Sequence, residues 1–179
     1  MDWMRAVESE MGQIDLAAKA YADFLRAIGL TEANSGIDIE DSARNTAELM
    51  ASWMRGVSEQ RPELSRMPSP DTDIVVLRDL PFYSFCGHHF VPFFGTADIE
   101  YKPDRYIAGL GGFTRVIDYY ARRPQFQECL CFSIAQHIYQ DLEPKAVRVR
   151  LNARQMCLEL HGKGAGILIE TVKCLGSFD

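Results

Sequence analysis

The chain has 179 residues, 47% of them apolar and 25% charged, with a formal net charge of −6. That length forms one domain, or a compact domain with an appended helical segment, and the composition excludes a disordered chain. The acidic balance argues against a nucleic acid polymer as partner. No apolar run is long enough to span a bilayer, so no membrane is expected, and the opening Met1-Asp2-Trp3-Met4-Arg5 lacks the pattern of a secretory signal. A cytoplasmic setting follows. The five cysteines are odd in number and scattered, which reads as free thiols rather than a disulfide framework.

From Ile14, apolar residues at Ala17, Tyr21, Phe24, Leu25 and Ile28 keep a helical period that ends near Gly29. After the turn-like Asn34-Ser35-Gly36, a second helix is predicted through Ala43, Ala47, Met50, Trp53 and Met54, capped near Asp41 or Ser42. Residues 1–60 thus form a helical segment, and 61–73, with Pro62, Pro68 and Pro70, a linker. The body is residues 74–179. A strand from Ile74 to Phe85, bent at Pro81, leads into a turn, and a second strand runs from Gly95 to Tyr101. Two helices follow, one through Phe113, Val116, Ile117 and Tyr120 to Pro124, the other through Phe126, Leu130, Ile134 and Ile138. Val147, Val149 and Leu151 alternate with Arg148 and Arg150 in a strand. Met156, Leu158 and Leu160 alternate in the same way with Cys157, Glu159 and His161, which puts Cys157 and His161 on one strand face. Ile167 to Leu175 is the last strand. The order gives an α+β body with antiparallel hairpins and two helices on one face. Cys129 and Cys131 read as packing residues, and His137 and Cys174 carry no functional signal.

The turn holds Cys86-Gly87-His88-His89. Thiolate and imidazole are preferred zinc ligands, and C-x2-H lets one turn offer Cys86 and His89 to one ion, with Cys157 arriving from elsewhere. Three protein ligands leave a fourth position for a water that the metal activates, whereas a closed structural site would use four. His88, between the ligands, is then free for proton transfer. The bland alternative is a core cysteine beside solvated histidines.

Cys86-Gly87-His88-His89-Phe90-x-Pro92-Phe93-x-Gly95, then Gly109-Leu110, Arg115, Ala121-Arg122-Arg123-Pro124-Gln125-Phe126-Gln127-Glu128, Cys157 and Gly162 occur in the order that the GTP cyclohydrolase I family shows, and the chain resembles that family from Leu80 onward. The N-terminal helices match only weakly, mainly through Arg44. The resemblance implies the tunnelling fold, with 74–179 as the catalytic domain. It also implies a ring-forming homo-oligomer, pentameric or a stacked decamer, with active sites between subunits. It implies Zn2+ on Cys86, His89 and Cys157, His88 as the acid/base, and Glu128 with Gln127 holding a guanine-like ring. A carboxylate suits that task because it accepts from a ring N–H and an amino group together.

The departures from the family pattern are specific. Gly87 replaces a glutamate, Gly111 and Gly112 replace a catalytic serine and a phosphate-binding lysine, Gln155 replaces a second catalytic histidine, and His161 replaces a phosphate-binding arginine. Arg44 and Arg115 remain of the phosphate set. Glutamine exchanges no proton near neutral pH, and each lost charge-assisted bond is worth roughly 1.5–3 kcal/mol. The expectation is a divergent zinc hydrolase that attacks a purine-like or other nitrogen heterocycle, a cyclic amidine, with zinc-activated water, and does not complete GTP to dihydroneopterin triphosphate. Two alternatives stand beside it: a silent paralogue acting as a binding or regulatory subunit, and an ordinary GTP cyclohydrolase I with compensating residues.

Overall fold

A computed structural model of the chain describes residues 2–70, 73–162 and 164–179, the side chains of residues 2–11 excepted. Met1 and positions 71 and 72 of the expected linker lie outside the described residues. The chain divides into two compact units, Met1–Met54 and Arg55–Asp179. No helix among the described residues is long and apolar enough to cross a membrane.

The first unit holds α1 (Asp2–Ala27), α2 (Glu32–Ser35) and α3 (Ile39–Trp53). Ala22, Ile39 and Ala43 form its buried centre, with Tyr21 and Leu25 packed against them. Phe24 and Ile28 do not join this face; both are more than half exposed. The Asn34-Ser35-Gly36 stretch is itself a helical turn. Thr31 and Asn34 cap it reciprocally, and Gly36 ends it in the left-handed region at φ 72°. The cap of α3 is Asp38, whose side chain accepts from the Asp41 amide, rather than Asp41 or Ser42.

The second unit carries a sheet of order β5-β2-β3-β6-β7, built from β2 (Val75–Cys86), β3 (Pro92–Lys102), β5 (Pro124–Gln125), β6 (Ala146–Gln155) and β7 (Leu168–Gly176). All pairings are antiparallel except the two-residue contact of β5 with β2. Within the stretch expected to be linker, β1 (Arg66–Pro68) pairs with β4 (Tyr106–Ala108). The bend in β2 is not at Pro81, which stays in register with Thr96 of the neighbouring strand. It falls between Leu77 and Leu80, where Asp79 has φ 55° and donates its amide to Asp98 at 2.9 Å.

Helices α4 (Leu110–Ala121) and α5 (Gln127–Leu142) bury Phe113, Val116, Ile117, Leu130, Ile134 and Ile138 against Ile99, Val147, Val149 and Leu151 of the sheet. Of the C-x-C pair in α5, Cys131 is buried and its thiol is pushed up to about 12 by burial, while Cys129 is exposed and not a packing residue. Two residues apart on a helix, only one of the pair can face the sheet.

The predicted strand over Met156–His161 is not formed. β6 ends at Gln155, and Met156–Leu160 is a short helix, α6. Arg154 grips Glu159 through two bonds of 2.8 and 2.6 Å, which folds the chain back over the strand end, and Gly162 closes the turn at φ 69°. Alternation of apolar residues over so few positions fits either element.

Candidate functional site

Cys86 is the last residue of β2, and its turn is tied at both ends. The Cys86 amide donates to the Val91 carbonyl and the Phe90 amide donates back to Cys86, both at 2.9 Å, with Phe90 at φ 53°. From the side, Gly87 donates to the Gln125 carbonyl at 3.0 Å. Gln125 is itself fixed by bonds from its Nε2 to Ser84 Oγ and to the carbonyls of Tyr120 and Arg123. This support was legible only in outline, as part of the quoted Pro124-Gln125-Phe126 run.

Cys86, His89 and Cys157 each offer one ligand atom, and these lie within 4.8 Å of one another. Cys86 Sγ is 3.9 Å from His89 Nδ1. Burial, and after it the neighbouring Cys86 sulfur, raise the Cys157 thiol above its ordinary value, while the amides of Leu158 and Cys157 pull the other way. A divalent cation beside the Cys157 sulfur would reverse that balance. The donor set, two thiols and an imidazole with one side exposed, fits zinc with an open position.

The cluster opens into a cleft of about 310 Å3 that His88, Phe126, Gln127, Glu128, Gln155 and Ile169 also line. The His88 ring stands edge-on to Phe126 at 5.8 Å and to His89 at 5.3 Å, so its orientation is held from two sides. Gln127 is 4% exposed, yet Glu128 beside it in the first turn of α5 is exposed to the cleft. Gln155 Nε2 donates to Gln127 Oε1 at 2.7 Å. His161, at the end of α6, places its ring 5.5 Å from that of His89, brought there by one helical turn from Cys157 rather than by strand alternation.

Arg115, Gly111 and Gly112, in the same unit, do not line this cleft. Arg115 is exposed and lines a second cavity of about 260 Å3 with Arg55, Asp118 and Tyr119. Gly111 and Gly112 form the first turn of α4, where Gly112 is buried against Leu64. Arg44 belongs to the first unit and pairs there with Asp15 and Glu48. One buried polar group was named in the sequence but assigned no function. His137 is 1% exposed, its Nδ1 is 3.2 Å from the Tyr120 hydroxyl, and its Nε2 lies 3.1 Å from Asp141 without hydrogen-bonding alignment. The His137–Asp141 spacing on one helix was its only signal.

The profile of GTP cyclohydrolase I matches residues 17–179. The GTP cyclohydrolase 1 of Lysinibacillus sphaericus (strain C3-41) is 35% identical over 157 residues, 85% of this chain and 82% of that protein. The GTP cyclohydrolase 1 of Geobacillus kaustophilus (strain HTA426) is 33% identical over 176 residues, 96% of this chain and 91% of that one. Among solved structures, an archaeosine synthase QueF-Like in the apo form superposes with a TM-score of 0.50 at 19% identity, covering 60% of this chain and 97% of that one. That likeness concerns the fold alone, the tunnelling fold.

Proposed function

Because the chain belongs to the GTP cyclohydrolase I family, we propose that it is a zinc-dependent hydrolase that opens a ring C–N bond of a purine-like or other nitrogen heterocycle and stops short of dihydroneopterin triphosphate. The observation that carries this reading is the convergence of Cys86, His89 and Cys157 within 4.8 Å, at the mouth of a cleft that His88 and Glu128 share. Zinc bound by these three would supply a Lewis acid that lowers the pKa of a water to about 7.

Every other contribution comes from the chain. His88, free of the ligand set and steadied by Phe126, moves the proton to the departing ring nitrogen. Glu128 accepts from the ring N–H and amino donors, and Gln127 fixes the floor of the cleft through its bonds to the sheet. Arg115, Arg44 and His161 are the remaining candidates for a phosphate, and active sites shared between subunits of a cytoplasmic homo-oligomer would let residues of different protomers meet. The absence of serine, lysine and histidine at positions 111, 112 and 155 removes groups needed for the later rearrangement and reclosure.

A second reading, the complete conversion of GTP with compensating residues, is favoured by one observation: relatives at 33–35% identity carry the name GTP cyclohydrolase 1. Mass spectrometry of products from zinc-loaded protein with GTP, GMP, guanosine and guanine separates the two. A ring-opened or deformylated product from a less phosphorylated member is expected. A pterin from GTP would establish the second reading, and no turnover of any would leave a non-purine heterocycle or a silent binding subunit.

A further inference from the structure

His161 approaches the cysteine–histidine cluster on a second element. It follows Cys157 by four residues, at the end of α6, and that spacing on a helix puts two side chains on one face with Cβ atoms about 5–6 Å apart. Zinc sites use the same separation when a helix offers two ligands to one ion. The turn after β2 offers Cys86 and His89 at C-x2-H, so the two elements present two pairs, Cys86 with His89 and Cys157 with His161. Two thiols and two imidazoles are a complete tetrahedral donor set.

The ring geometry agrees with the spacing. The rings of His89 and His161 have centres 5.5 Å apart and planes inclined by 69°. Two imidazoles on one tetrahedral ion, each bound at about 2.0–2.1 Å, have centres roughly 5 Å apart, so these rings already stand near the separation of co-ligands. His161 is not in the group gathered within 4.8 Å, and coordination therefore takes a rotation of its side chain, which is exposed. His88 stands as near to His89, at 5.3 Å, but it lines the cleft with Phe126 against its ring, whereas His161 does not line the cleft. We propose that His161 is a fourth, exchangeable zinc ligand that closes the site when no substrate is bound. The proposal rests on the zinc reading above and adds a resting state to it. Ordering an exposed side chain offsets part of the bond it gains, so His161 holds the metal less firmly than the three gathered ligands and yields to substrate.

The test replaces zinc with cobalt(II) and reads visible absorption, with competition against a chelator for both metals, in wild type, His161→Ala and His88→Ala. Wild type is expected to show the intense absorption of a tetrahedral ion with two sulfur and two nitrogen ligands. His161→Ala should weaken metal binding at least about tenfold and change the absorption, and free imidazole should restore the wild-type spectrum. His161→Phe, which keeps a ring beside His89 without a nitrogen, should behave as His161→Ala does and so separates ligation from packing. His88→Ala should keep the wild-type spectrum and affinity. Unchanged spectra and affinities in both His161 variants overturn the fourth ligand while the three-ligand zinc reading stands, and so does a change confined to His88→Ala. Failure of wild type to bind either metal overturns both together.

Discussion

Removal of the Cys157 sulfur separates the two tasks of the cleft most cleanly. Cys157→Ala leaves Cys86 and His89 as a two-ligand pair, and the expected result is loss of stoichiometric zinc by elemental analysis together with a fall in activity of about 100-fold or more. His88→Ala should retain the metal and lose activity by about 10²–10⁴-fold, the range of a general acid or base. Equal zinc and equal turnover in both variants would remove the metal mechanism. Gly87 gives a contrasting case. A Cβ there would meet Gln125 backbone no closer than 3.4 Å, so Gly87→Ala should fold with a melting temperature near that of wild type. Space at this position therefore admits a first side-chain carbon.

Two elements depend on fits that tolerate no change. In β3, a Cβ on Gly95 would lie 1.8 Å from the Asn152 carbonyl of β6, and Gly95→Ala should cost about 3 kcal/mol or more in chemical denaturation. The segment before β1 is tied to α5 through Asp141, which accepts from Arg61 at 2.5 Å and from the Leu64 amide at 3.0 Å. Burial lowers the pKa of His137 beneath it, with Asp141 opposing and Arg61 assisting. The folded protein thus keeps His137 neutral where the unfolded chain binds a proton near about pH 6.5. Stability from this site is complete above that pH and declines as the pH falls below it. Burial works against ionisation of Asp141, but the Leu64 amide and Arg61 outweigh it, so its carboxylate persists below the usual range and its contribution is lost only in stronger acid. Melting temperatures at pH 7.5 and 5.5 should differ in wild type and converge in His137→Gln; an unchanged difference would place the effect elsewhere. These elements also show what the sequence made legible. Periodicity located β3, α4, α5 and β6 because long apolar repeats admit one reading, and motif order located Cys86, His89 and Cys157. The alternation at 156–161 misled because so few positions fit a strand or a helix equally, and the contact of Arg154 with Glu159 is not visible in a hydrophobic pattern. The bond between Gln155 and Gln127 was invisible because Gln127 is anchored by backbone carbonyls distant in sequence.

At the scale of the molecule, β7 has no strand partner on one side among the described residues, and Leu168 and Val172 are exposed. Long exposed edges of this kind are paired or covered in stable proteins, which supports the proposed homo-oligomer. Light scattering should give a mass several times that of one chain, and lysines at Leu168 and Val172 should reduce it; a monomeric wild type would rule the ring out. The placement of the cysteines has one more consequence. Cys86 ends β2, Cys157 follows β6 by two residues, and β3 lies between the two strands. A slip of one residue in either pairing would displace a sulfur by about 3.3 Å along the strand, a large fraction of the span the two thiols now share. The pair is therefore a gauge of strand alignment. A short bifunctional thiol reagent should bridge Cys86 and Cys157 only in correctly aligned molecules, and the bridged fraction would count properly folded protein without reference to any substrate.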